Sequence, residues 1–183
     1  ATAAGMKVGV YVYSYATTVE GAMTEAQFAI AAMEPYSVSY PVVYDLEDSI
    51  HKNMSPDQLA ALTVAFCSTV QQAGYYPMVY SSKNWMVGKI AATPYDKWIA
   101  QYNTVCEYPN PAFWQYSSSG VVAGINGSVD VNYQFKDYSN LIISDGFIEH
   151  NGNVRFYRNW KMQKGWVDFN DTRYYLDGAG NLI

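Results

Sequence analysis

The sequence predicts an α/β chain in which strand and helix segments alternate around a parallel sheet over residues 1–144, followed by a small β-hairpin repeat region over residues 145–183. Three observations carry this expectation. Apolar, β-branched and Tyr-rich runs alternate with segments whose apolar residues recur every three or four positions. Charge sorts along the chain: residues 1–144 hold six Lys and no Arg against eleven acids, whereas residues 145–183 hold three Arg and two Lys against five acids. The last segment also repeats itself. Gly146-Phe147 returns as Gly165-Trp166 after 19 residues, and Phe156-Tyr157 as Tyr174-Tyr175 after 18.

Ala1–Ala4 followed by Gly5 reads as a last helical turn closed by a glycine, with an apolar strand over Lys7–Tyr15 directly after it. Thr17-x-x-Glu20 is a capping-box pattern, and Val19, Met23, Ala26, Ile30 and Met33 form one helical face that stops at Pro35. Pro41–Glu47 is the second strand. Ser55, Pro56 and Gln58 open a helix whose stripe is Leu59, Leu62, Phe66 and Val70, with Gly74 as its stop. Short strands follow at Pro77–Ser81, Lys97–Tyr102, Ala112–Tyr116 and Val129–Asn132, with a helix over Lys83–Ala91. The join between the two regions falls in the Tyr138–Ser144 stretch, and Asn170-Asp171 and Asp177-Gly178 mark hairpin turns beyond it.

Composition narrows the function classes. Half of the 183 residues are apolar, 15% are charged, and the net charge is −5. Without a Lys/Arg run there is no footprint for nucleic acid. No stretch approaches the ~18 apolar residues of a membrane span, and the first residues lack the basic and apolar regions of a signal peptide. Cys67 and Cys106 permit one bridge without requiring it. The 18 Tyr and 5 Trp suit stacking on sugar rings as well as they suit a β-rich core.

In parallel α/β proteins the chemistry gathers at the carboxyl ends of the strands. There, VVYDLED carries Asp45 and Glu47 at i and i+2, hence on one face. Crowded carboxylates cannot ionise independently, and a protonated acid beside an ionised partner is what glycoside hydrolysis uses. An isolated D-x-E is more often a solvated loop edge, so the pair alone is a weak pointer. Asp130, in VDVNY, is a third strand-end carboxylate, or a turn residue after Gly127-Ser128. Asp45, Asp48 and His51 could form a metal-dependent hydrolase site, although no known ligand spacing is matched and a loop His is more often a solvated surface residue. Phosphate-binding glycine motifs and a G-x-S-x-G elbow do not occur, and Cys67 lies mid-helix where it packs.

The segments VGVYVYSYA, YPVVYDLED, AGYYPMVYSS, KWIAQY and FWQYSSSGVVAGINGSVDVNYQF, in that order over roughly residues 3–135, resemble the glycoside hydrolase family 25 lysozymes. These are the N-acetylmuramidases that cut peptidoglycan. The resemblance implies a TIM-like (β/α) barrel over residues 1–144, here incomplete and holding strands three to eight. It also implies retaining hydrolysis of the β-1,4 bond between N-acetylmuramic acid and N-acetylglucosamine. Glu47 would be the general acid/base, Asp45 its partner carboxylate and Asp130 an electrostatic support. Tyr11, Tyr13, Tyr80, Trp98, Tyr102, Trp114 and Tyr116 match family aromatics around the groove, some of them core. The intermediate would be held by an Asp or by the substrate's own acetamido group. No cofactor or metal is implied, the partners would be peptidoglycan glycan strands, and the location would be extracellular or at the cell wall.

The family's barrel opens with two strands, the first bearing an Asp in a G-x-D-x-S motif, and neither is in this sequence. A full barrel needs roughly 200 residues or more, and 183 less the 39 of residues 145–183 leaves 144. The alternative is therefore a wall protein or inactive fragment that binds glycan and cuts nothing. Residues 145–183 resemble cell-wall-binding repeats of the choline- and glucan-binding type, in which cages of aromatics form between hairpins. Trp160, Trp166, Tyr174 and Tyr175 are the candidates. A hairpin that merely packs on the barrel is the plainer alternative.

Overall fold

In the structure, a computed structural model that describes residues 1–183 with the side chain of His150 excepted, the chain opens on a 3-10 turn at Thr2–Ala4 closed by Gly5 in the left-handed region. Strand β1 (Val10–Tyr13) is shorter than the expected Lys7–Tyr15. The reason is local: Val8 spends its backbone on Ser39 and Tyr40 instead of on a neighbouring strand. Helix α1 (Val19–Met33) follows, then β2 (Val42–Asp45), a 3-10 turn at Ser49–His51, α2 (Pro56–Gln72), β3 (Pro77–Ser82), α3 (Lys83–Gly88), β4 (Asp96–Ala100), β5 (Phe113–Gly120) and β6 (Val129–Gln134). No helix among the described residues is long and apolar enough to cross a membrane.

The six strands form one curled sheet in chain order, a half-barrel with β1 and β6 at its edges. Strands β1 to β5 are parallel as expected, but β6 runs antiparallel to β5. Residues 121–128 are too few for a crossover, and Gly124 and Gly127, both at positive φ, let the chain fold straight back.

Side-chain alternation splits the strands between two cores. The convex face, with Val42, Tyr44 and Val79, packs on α1 and α2. The concave face carries Val43, Met78 and Tyr80, closed below by Tyr138 and Ile142 from the segment after β6. That segment is bolted in place by Asp96, which accepts from Tyr138 Oη at 2.8 Å, Tyr76 Oη at 3.0 Å and Lys136 Nζ at 3.0 Å.

Helix α2 has the expected reciprocal cap, Gln58 N donating to Ser55 Oγ at 3.2 Å and Ser55 N to Gln58 Oε1 at 2.8 Å. Its buried residues include Leu59, Leu62, Phe66 and Val70. Helix α1 differs on two points. Its cap is Thr18, not the Thr17/Glu20 box, and accepts from Gly21 N at 3.0 Å. Its buried face is Ala22, Ala26, Ala29 and Met33, while Val19 and Met23 are exposed. Close approach of α1 to α2 selects for small side chains, so size rather than hydropathy sets the face.

Residues 145–183 form antiparallel hairpins. Strands β7 (Asp145–His150), β8 (Asn153–Arg158) and β9 (Lys161–Met162) make one antiparallel sheet, and β10 (Gly165–Phe169) with β11 (Thr172–Leu176) makes a second. Asn170 and Asp171, at φ of 49° and 59°, supply the two-residue turn between the last strands. In the cross-strand register Phe147 faces Phe156 and Trp166 faces Tyr175, but the first pair packs in the hairpin core and the second stands open.

The hairpins are fixed to the half-barrel at the turn after α2. Met162 N donates to Gly74 O at 2.9 Å, and Lys164 Nζ donates to Gln72 O at 2.9 Å. Gly74 has φ of 90°, and a Cβ there would lie 2.4 Å from Met162 O. Gly74→Ala is therefore expected to cost about 1–3 kcal/mol and to loosen the hairpins. Denaturant unfolding with limited proteolysis checks this, and an unchanged midpoint with an uncut tail would contradict it.

Candidate active site

Each strand of the half-barrel sends a side chain into one cleft of about 230 Å³, lined by Tyr11, Tyr13, Asp45, Glu47, Tyr80, Trp98, Gln115 and Asp130. Asp45 closes β2 and Glu47 lies two residues on, so the i, i+2 spacing places both on the concave side. Asp130 stands near the start of β6. Because that strand runs antiparallel, its beginning lies at the same rim as the carboxyl ends of the others.

The three acids differ in their surroundings. Asp45 is 7% exposed, and its Oδ1 has no hydrogen-bond partner among the described residues. Burial, and after it the charge of Glu47, pushes its pKa up to about 7. Glu47 stands exposed at the mouth, and its pKa is also raised, first by the desolvating walls and then by the charge of Asp130. The cleft therefore favours holding a proton on the Asp45/Glu47 pair in mildly acid solution, beside a further carboxylate.

The aromatic wall is tied down by hydrogen bonds. Tyr80 and Tyr102 both donate to Gln115 Oε1, at 2.9 and 3.0 Å, which leaves the Gln115 amide N–H groups to offer a ligand. Trp98 donates through Nε1 to Asn132 Oδ1 at 2.8 Å and meets Tyr80 edge to face at 5.0 Å. Tyr13 donates to Asp48 Oδ2 at 3.1 Å. Burial and that bond push its phenol up to about 12.

Of the seven aromatics expected around a groove, Tyr11, Tyr13, Tyr80 and Trp98 line the cleft, and Tyr102 braces it through Gln115. Trp114 and Tyr116 do not. Gln115 points inward, so its neighbours on β5 point out, where they pack against Tyr133 at 5.5 and 4.7 Å. Gln115 and Asn132 are the polar residues that the sequence reading missed. Asn132 stands at i+2 from Asp130 in an alternating strand, and that period could have found it.

His51 is not a surface residue and does not join Asp45 and Asp48. It is fully buried, with Nε2 donating to Ala16 O at 2.8 Å, while Asp48 caps the turn through Ile50 N at 2.8 Å. Among the described residues no cluster of His, Cys, Asp and Glu could hold a metal ion. Cys67 and Cys106 are free thiols, and burial pushes Cys67 up.

The aromatics of residues 145–183 also separate. Tyr174 belongs to the hairpin core, 4.7 Å from Phe147. Trp160 sits in the β8–β9 turn against the half-barrel, with Lys7 Nζ 4.5 Å from its ring, and acts as an anchor. Trp166 and Tyr175 alone form an open pair, 68% and 42% exposed with ring centres 5.0 Å apart.

The family model of glycosyl hydrolases family 25 matches residues 1–125. Among solved structures, the modular autolysin LytC from Streptococcus pneumoniae is 30% identical with a TM-score of 0.63, over 72% of this chain and 34% of that one. The same autolysin in complex with a synthetic peptidoglycan ligand matches at 28% identity and a TM-score of 0.59, with the same coverage of 72% and 34%. The Clostridium perfringens spore cortex lytic enzyme SleM is 15% identical with a TM-score of 0.67, over 100% of this chain and 69% of that one, and shares the fold. The chain thus spans about a third of the autolysin's length. No curated protein sequence matches it.

Proposed function

The chain belongs to glycosyl hydrolases family 25, and from that premise we propose that it is a peptidoglycan hydrolase that cleaves the β-1,4 bond between N-acetylmuramic acid and N-acetylglucosamine. The observation that carries the reading is the convergence of Asp45, Glu47 and Asp130 with three tyrosines and a tryptophan in one cleft. A carboxyl with raised pKa can give a proton to a leaving oxygen, and further acidic side chains beside it can stabilise the positive charge that develops on the sugar. The binding of a synthetic peptidoglycan ligand by the pneumococcal autolysin supports the same substrate class.

In this reading Glu47, at the cleft mouth, is the general acid/base. Its proton passes to the glycosidic oxygen as the bond to the sugar's anomeric carbon breaks, and a water then adds its oxygen to that carbon and returns its proton to Glu47. Asp45, set deeper, orients the reacting sugar and tunes Glu47. Asp130 balances charge on the opposite wall. The test is digestion of purified peptidoglycan, followed by borohydride reduction and mass spectrometry of the fragments. New reducing ends on muramic acid support the assignment, new ends on glucosamine move the cut to the other bond, and binding without new ends leaves a glycan-binding protein.

Residues 145–183 form the wall-binding part in this proposal, placing the protein outside the cell at its substrate. Its recognition element is the Trp166/Tyr175 pair, whose open faces suit a sugar ring or a choline headgroup. Trp166→Ala is expected to weaken sedimentation with cell walls by roughly two- to tenfold, with competition by free choline or by glucan naming the ligand. Undiminished sedimentation would remove the pair from this role.

A further inference from the structure

Tyr11, Tyr13 and Tyr15 follow one another at i, i+2 and i+4 along the exposed edge of β1 and beyond it. The first two line the acidic cleft. Tyr15 lies past the strand end, 63% exposed, its ring centre 5.2 Å from that of Tyr13. A large aromatic left in solvent beside a polar cleft gains nothing for the core and must be held in place by something else.

The loop that carries it is held by hydrogen bonds of defined direction. Glu25, on α1, uses both carboxylate oxygens on this loop: Oε1 accepts from Tyr15 N and Oε2 from Ser14 Oγ, each at 2.8 Å. Since Glu25 accepts from Ser14, the buried Tyr44 hydroxyl 2.8 Å away must donate to Ser14 Oγ, which also accepts from Ala16 N at 3.2 Å. Ser14 N donates to Asp45 O at 2.9 Å, and His51 takes the Ala16 carbonyl. Ser14, Tyr44 and His51 are all fully buried. Among the described residues no Lys or Arg forms an ion pair with Glu25. Its carboxylate is committed to the loop.

We propose that Tyr15 is a sugar-stacking residue that extends the cleft by one pyranose ring of the glycan strand, and that Glu25 is the positioning residue that fixes it there through Ser14 and the Tyr15 amide. The proposal rests on the glycan-binding reading of the cleft. A preformed platform spares the ordering of an exposed loop when substrate binds, so its effect falls on affinity rather than on the bond-breaking step.

The test measures binding of a soluble N-acetylglucosamine/N-acetylmuramic acid tetrasaccharide by calorimetry, with kcat and KM on purified peptidoglycan alongside. Tyr15→Ala and Glu25→Ala are each expected to weaken binding by about five- to tenfold, with the larger part of the kinetic effect in KM. The double variant loses little more than either single one, because both act on the same ring. Glu25→Gln falls between, since it keeps an acceptor for Tyr15 N but turns an amide toward Ser14. Tyr15 is exposed, so Tyr15→Ala reports on the platform without a folding defect. Full additivity, unchanged binding, or a loss confined to kcat overturns the proposal, as does a wild-type protein that does not bind the tetrasaccharide. A wild type that binds but releases no reducing ends refutes the hydrolase reading alone, and the binding series still decides the role of Glu25.

Discussion

Glu47→Gln is expected to lower the release of reducing ends from peptidoglycan by roughly 10²- to 10⁴-fold while leaving thermal stability within about 0.5 kcal/mol, since the side chain is exposed at the cleft mouth. The amide keeps the shape and loses the proton. Binding of the glycan persists, so the variant should sediment with cell walls that it no longer cuts. For the wild type, activity should fall as pH rises through about 7, where the proton held between Asp45 and Glu47 is lost. The fall belongs to the pair and not to one residue. Near-normal lysis by Glu47→Gln would take it out of the acid role, and activity that rises steadily to pH 9 would mean that no carboxyl proton is required.

Asp45→Asn should separate stability from activity. The folded-state pKa of Asp45, about 7, lies above its ordinary value of 3.8 because the carboxylate is buried with one oxygen unpartnered. The native state therefore holds a proton that the unfolded chain has released, in the window between about pH 4 and pH 7. Stability from this group is intact below that window, declines across it as pH rises, and is at its lowest above it. A rise of this size corresponds to about 4 kcal/mol, reduced toward about 2 kcal/mol because the cleft opens to solvent. Asn carries no charge to desolvate, so at pH 8 the variant should melt roughly 5 °C higher than the wild type. At pH 4 the two should converge. Hydrolysis should nevertheless drop sharply, the pattern expected where an active site stores strain that stability alone would remove. Equal melting temperatures at pH 8 would show that Asp45 is not held as a buried charge.

Much of the fold was legible from local chemistry. Ser55, Pro56 and Gln58 wrote the start of α2 directly, because a reciprocal cap and a proline at the first position need no tertiary help. The turn at Asn170-Asp171 was equally local, since these residues tolerate positive φ. The D-x-E spacing put Asp45 and Glu47 on one face, and alternation alone set that. Helix α1 was misread because its buried face is fixed by how closely α2 approaches, which no single segment encodes. The direction of β6 followed from a loop too short to cross over, yet the reading extended the parallel pattern to it.

What the sequence determined by itself was therefore the set of elements, the carboxylate pair and the aromatic supply, all properties of spacing along one chain. Which aromatics face the cleft, which anchor a hairpin and which stand open was decided only by tertiary structure. Trp114 and Trp160 carry the same chemistry as Trp98 and Trp166, but the side of the sheet or turn from which each projects gives it a different neighbour. His51 was decided in the same way. Its place in a loop suggested a solvated surface residue, and the fold turned it inward to hold Ala16, because a buried carbonyl must find a donor.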